Sequence, residues 1–116
     1  APETAATDTP FPGELAGSWS GTALNGDFEM QLTLTILDDC LIGEVCGRFD
    51  LSTISCSGNW VWIGMDGDLY EFDEVDESEA CGEGRDFLQP QPDGSLLYIS
   101  RGESYGETRG VLQRVP

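Results

Sequence analysis

The densest concentration of reactive groups in the chain is a run of ten carboxylates between Asp66 and Asp86, set against the single cation Arg85. Six of them, Asp66, Asp68, Asp73, Asp76, Glu77 and Glu79, could supply oxygens to one calcium ion, which takes six to eight such ligands from a flexible loop. No Asp-x-Asp-x-Asp-Gly loop with a Glu at its twelfth position is present, so the run is not an EF-hand. The simpler reading is a solvated acidic loop that keeps the domain soluble, with Ca2+ as the alternative. Paired carboxylates also hydrolyse glycosides, but nothing else in the sequence completes such a site.

The remaining ionisable groups are few. Five arginines face twenty-two acids for a formal charge of -17, and the chain has no Lys and no His. Without His there is no Ser-His or Cys-His nucleophile pair, no imidazole base and no His-ligated zinc. Without Lys there is no Schiff base and no P-loop clamp. Nucleic acid is repelled, since affinity for it begins with cations on phosphate, and an anionic membrane surface is disfavoured for the same reason. No apolar stretch is long enough to span a bilayer as a helix. The composition points away from an enzyme.

Four cysteines, Cys40, Cys46, Cys56 and Cys81, suit two disulfides and an oxidising compartment. A four-thiolate metal site is the rival, but the gaps of five, nine and twenty-four residues contain no close C-x2-C pair. Three connectivities are open to four cysteines, and spacing does not choose among them. Trp60 and Trp62 lie two apart and share one face of a strand, with Val61 and Ile63 on the other. Two Trp packed in the core is the plain reading. If the aliphatic pair faces inward instead, the Trp pair becomes a platform for a sugar or a protein partner, and Phe11 is a further candidate contact.

The elements that must position these groups are strands. Residues 1–14 are rich in Ala, Thr and Pro and read as an extended tether or inter-subunit segment, leaving 15–116 as the folded domain. Ala1-Pro2-Glu3 fits either a mature end left by signal-peptidase cleavage or an arbitrary start. No window holds a helical apolar period. Leu15 to Leu24 ends at Asn25-Gly26-Asp27, a hairpin signal. Phe28, Met30, Leu32, Leu34 and Ile36 then alternate with polar residues, the clearest half-buried strand in the chain. Further strands are expected at Ile42–Phe49, Asn59–Ile63, Leu69–Phe72, Arg85–Gln89, Ser95–Ser100 and Thr108–Val115. Eight strands with short connections suit an all-β, eight-stranded antiparallel up-and-down barrel, disulfide-stapled, with a two-sheet β-sandwich as the alternative. Such a barrel is just wide enough inside to be filled by side chains or to hold one small ligand.

Gly17-Ser18-Trp19 on the first strand, with Arg114 on the last, resembles the G-x-W pattern of the lipocalin and avidin group of barrels. The resemblance implies that Trp19 closes one barrel end and that Arg114 packs across its ring, a favourable cation–π contact. The wider order, from Gly17-x-Trp19-x-Gly21 through Gly43-Glu44-Val45, Cys56-Ser57-Gly58, Tyr70-Glu71-Phe72, Cys81 and Asp93-Gly94-Ser95-Leu96-x-Tyr98 to Leu112-x-Arg114, resembles a bacterial extracytoplasmic domain. That domain is found behind Thr/Pro-rich tethers on membrane Ser/Thr kinases or in secreted lipoproteins. It implies a Cys56–Cys81 bond, which leaves Cys40–Cys46 as the second pair. A straight strand would hold Cys40 and Cys46 about 20 Å apart, so their bond requires the chain to fold back, which Gly43 permits.

The function expected is that of a non-catalytic extracellular or cell-surface binding or sensor module. The alternative is a self-assembling structural subunit of a filament or surface layer, joined through its N-terminal segment and calcium. The partners expected are a protein, a second copy included, or a small ligand or glycan, with no nucleic acid and no membrane insertion.

Overall fold

The computed structural model describes residues 15–38, 40–76 and 84–115, with Asp76 described by its backbone alone. Eight antiparallel strands follow one another around a closed barrel. They are β1 (Gly17–Asn25), β2 (Phe28–Ile36), β3 (Val45–Leu51), β4 (Cys56–Asp66), β5 (Leu69–Asp76), β6 (Arg85–Pro90), β7 (Leu96–Gly102) and β8 (Gly106–Arg114). Each pairs with its sequence neighbour, and β8 returns to β1 through a ladder from Trp19 opposite Arg114 to Leu24 opposite Arg109. The barrel, rather than the sandwich, is the architecture, and closure leaves neither the first nor the last strand with an unpaired edge.

The alternation in β2 does what a half-buried strand requires. Met30, Leu32, Leu34 and Ile36 are buried while Gln31, Thr33 and Thr35 face water. Three strands differ most from the expectation, and one of them, β5, runs on past Phe72 to Asp76 because its pairing with β4 continues to Gly58 opposite Asp76. β3 starts at Val45, three residues after Ile42, because residues 41–44 form a turn in which Glu44 N–H donates to the Leu41 carbonyl at 3.0 Å. Gly43 sits there at φ +92°, a backbone shape that side-chain-bearing residues rarely adopt. β4 is longer than Asn59–Ile63 at both ends, since Cys56 and Gly58 already face inward and pairing with β5 continues past a bulge between Trp62 and Gly64.

The turn at Gly43 is also what lets Cys40 reach Cys46. The two are disulfide-bonded with a Cα–Cα distance of 5.5 Å. Cys56 is disulfide-bonded as well, whereas Cys81 lies outside the described residues. No described cysteine is free. The disulfide is consistent with an oxidising, extracellular compartment.

Candidate functional site at the polar end of the barrel

The strands carry three successive layers of side chains into the barrel. At the end where β1 begins, Trp19 is buried opposite Leu34 and Arg114. The Arg114 guanidinium lies 4.3 Å from the indole centroid and donates to the Ala16 carbonyl at 2.6 Å. The Trp19 indole N–H donates to the Leu15 carbonyl at 3.0 Å. Gly17 adopts φ +118°, a backbone shape that side-chain-bearing residues rarely take, and passes close beneath Arg114 Nη1. Trp19 and Arg114 stop this end, as the G-x-W resemblance implied.

The middle layer is aromatic. Trp60 has no solvent exposure and stacks on Phe72 at 4.9 Å, Phe49 at 5.9 Å and Tyr98 at 6.2 Å between ring centroids. These four rings come from β3, β4, β5 and β7, and they fill the barrel where a ligand would otherwise sit. Trp62 is buried two residues on, tilted against Tyr70 at 6.1 Å, with its indole N–H donating to the Gly64 carbonyl at 3.1 Å. The surface platform that Trp60 and Trp62 offered as a partner contact is therefore corrected. Inward packing removes more apolar area from water for indoles than for Val61 and Ile63, so the aliphatic pair takes the outside.

The third layer is polar. Asp86 is fully buried, and its Oδ2 accepts the Trp60 indole N–H at 2.6 Å. Ser100 stands directly across the ladder from Asp86. Its hydroxyl is 2.7 Å from that of Tyr105 and donates to Glu74 Oε2 at 3.5 Å. Asn25 extends the cluster, its Nδ2 donating to the Tyr105 carbonyl at 2.8 Å and to Thr108 Oγ1 at 3.0 Å. Burial, and after it the neighbouring Asp86 charge, push the Tyr98 phenol well above its ordinary range, so it stays neutral. The arrangement is a cluster of acceptors and hydroxyls at the end of the barrel opposite Trp19. Asp86, buried together with Ser100 and Thr108, orients Trp60, while half-buried Glu74 and Tyr105 form the side nearer to solvent.

The acids proposed as calcium ligands do not form this cluster. Asp66, Asp68 and Asp73 point to solvent, where Asp68 accepts from Gln89 Nε2 at 2.6 Å and Asp73 lies 3.8 Å from Arg85. Arg85 makes its shorter contact, 2.8 Å, with Glu71. The Asp76 side chain, Glu77 and Glu79 lie outside the described residues, as does Phe11. Among the described residues no three Asp, Glu or Cys side chains converge on a position for a metal ion.

Comparison with known proteins gives no match. No family model, no curated protein and no solved structure corresponds to this chain.

Asp86 and Glu74 are the residues that sequence reasoning misplaced, counting both among the solvated acids. Period-two alternation holds the signal for each, because Asp86 shares its face with Leu88 and Glu74 shares its face with Phe72. On β6 the signal is blunted because outward-facing Phe87 is buried too, with the Arg101 guanidinium 5.1 Å from its ring centroid.

Proposed function

We propose that this domain is a non-catalytic binding module of an extracellular or cell-surface protein, related to the small G-x-W barrels and recognising its partner with its outer wall and loops. The observation that carries this reading is the Trp60 stack with Phe49, Phe72 and Tyr98, behind an end stopped by Trp19 and Arg114. A barrel that carries a small ligand keeps that space open, whereas here the chain's own rings occupy it. The lack of His and Lys supports the non-catalytic part, since the commonest bases and nucleophile partners are missing from the composition. The disulfide at Cys40–Cys46 supports the compartment.

The test is a titration of the oxidised domain with a long-chain fatty acid, followed by tryptophan emission. Trp60 senses any molecule entering the middle layer. The expected result is no saturable change. A saturable change at one ligand per barrel would show an internal ligand site and overturn the reading.

A further inference from the structure

Eleven large apolar side chains stand exposed among the described residues, and they are not spread evenly over the barrel. Leu37, Leu41, Ile42, Val45 and Ile63 lie at one corner, where the loop before β3 meets the second half of β4. Backbone bonds fix that corner. Leu37 N–H donates to the Cys46 carbonyl at 2.8 Å, Gly43 N–H to the Trp62 carbonyl at 2.8 Å, and Trp62 N–H to the Glu44 carbonyl at 3.2 Å. Val45 pairs directly with Val61, and the Cys40–Cys46 disulfide ties the loop at its base. The patch is therefore built in advance of any contact, which lowers the ordering cost of binding.

Single exposed hydrophobics need no explanation, but a concentration of them within a polar rim marks a surface that meets something. The rim here is acidic. Asp38, Glu44 and Asp66 are exposed around it, and Asp73, across the ladder from Val61, lies beside Arg85. A second copy of the chain would set acid against acid across a two-fold contact, on a molecule that already carries -17. An anionic lipid or nucleic-acid surface meets the same repulsion. Charge complementarity selects the opposite kind of partner.

We propose that this corner is a docking surface for a cationic protein segment, whose apolar anchor side chains cover Val45, Ile63 and the 41–42 loop while its basic residues meet the acidic rim. The proposal rests on the binding-module reading and names the surface and the partner chemistry for it. Aromatic or branched anchors at the centre with arginines around them are the composition such a contact favours.

The experiment maps amide shifts of the 15N-labelled, oxidised domain during titration with a short synthetic peptide alternating Leu and Arg. A peptide of equal charge with Ser in place of Leu is the control. The expected shifts for the Leu peptide are confined to residues 37–46 and 61–66 and persist at raised salt, while the Ser peptide gives weak, scattered, salt-sensitive shifts. The variant Val45→Thr with Ile63→Thr keeps β-branched side chains on the outer face, so Trp60 emission should match the parent. Its affinity for the Leu peptide should fall about tenfold, the loss expected when two apolar anchors are removed. Shifts spread evenly over the acidic surface, or equal affinity in the double variant, would overturn the proposal. So would self-association of the unliganded domain that the double variant abolishes, because a second copy would then be the occupant. An internal fatty-acid site would sink the module reading while leaving this map unchanged, so the two fail separately.

Discussion

Trp60→Phe isolates the contact between the aromatic layer and the polar one. The substitution keeps a ring in the stack with Phe49, Phe72 and Tyr98 and deletes the N–H that lies 2.6 Å from Asp86 Oδ2. A hydrogen bond to a carboxylate in a site closed to water is worth roughly 1.5–3 kcal/mol, and removing it leaves a buried acceptor to be satisfied elsewhere. The smaller ring also leaves a void worth about 1 kcal/mol. The expected loss is about 2.5–4 kcal/mol in total. Trp62→Phe is the internal control, because the same atoms are removed but the acceptor is the neutral Gly64 carbonyl at 3.1 Å. Roughly 0.5–1.5 kcal/mol for that bond and a similar void give about 2 kcal/mol. The two variants should therefore differ by about 1.5 kcal/mol, roughly tenfold in the folding constant. Urea unfolding followed by far-UV circular dichroism measures both, with equal m-values confirming that the same surface is exposed. Equal losses, within about 0.5 kcal/mol, would mean that the carboxylate adds nothing beyond what any acceptor gives. A cycle with Asp86→Asn sharpens the comparison, since Trp60→Phe should cost less in that background.

Other outcomes follow from the same layers. Trp19→Ala should destabilise by roughly 3–5 kcal/mol, because a buried indole is lost and Arg114 loses the ring beneath it. A loss below about 1 kcal/mol would mean that this end does not depend on its stopper. The native protein should offer no thiol to alkylation before reduction, and peptide mapping should join Cys40 to Cys46 and Cys56 to Cys81. Any peptide linking Cys56 to Cys40 or Cys46 would refute that pairing. Tyr98, raised by burial and the Asp86 charge, contributes stability that is present in full below about pH 10, where the unfolded phenol ionises. That contribution is lost as the pH climbs toward the higher folded value. The fall in stability between about pH 9 and pH 11 should be shallower in Tyr98→Phe, and an unchanged slope would exclude Tyr98 as its source.

The fold was legible wherever side chains alternate without interruption. β2 shows its pattern from Met30 to Ile36, with Phe28 exposed at the open start of the strand, and Asn25-Gly26 marks the hairpin before it. Asp93-Gly94-Ser95 was legible as a turn for a chemical reason. Asp93 Oδ1 accepts the Ser95 hydroxyl at 2.6 Å and its N–H at 2.9 Å, and these bonds hold the Asp93 carboxyl below its usual range. Glycine obscured the rest. Gly58 and Gly64 bring no side chain to the β4 pattern, and Gly43 converts what looks like a strand into a turn. The ends of the barrel were half legible. Trp19 and Arg114 announce one end by a spaced motif, whereas the polar end is assembled from Asn25, Glu74, Asp86, Ser100, Tyr105 and Thr108, which no local spacing connects. Charge composition worked against reading it, since a buried acid among ten looks like one more solvated acid.

Sedimentation of the intact chain and of a chain lacking residues 1–12, each with calcium and with chelator, separates a binding module from a subunit built to assemble. At -17 the surface repels its own copies, and the core of the barrel lies between Leu15 and Leu112, so truncation leaves the fold in place. The expected result is a monomer in all four samples at high concentration. Calcium-dependent association of the intact chain that truncation abolishes would contradict it and identify a self-assembling subunit.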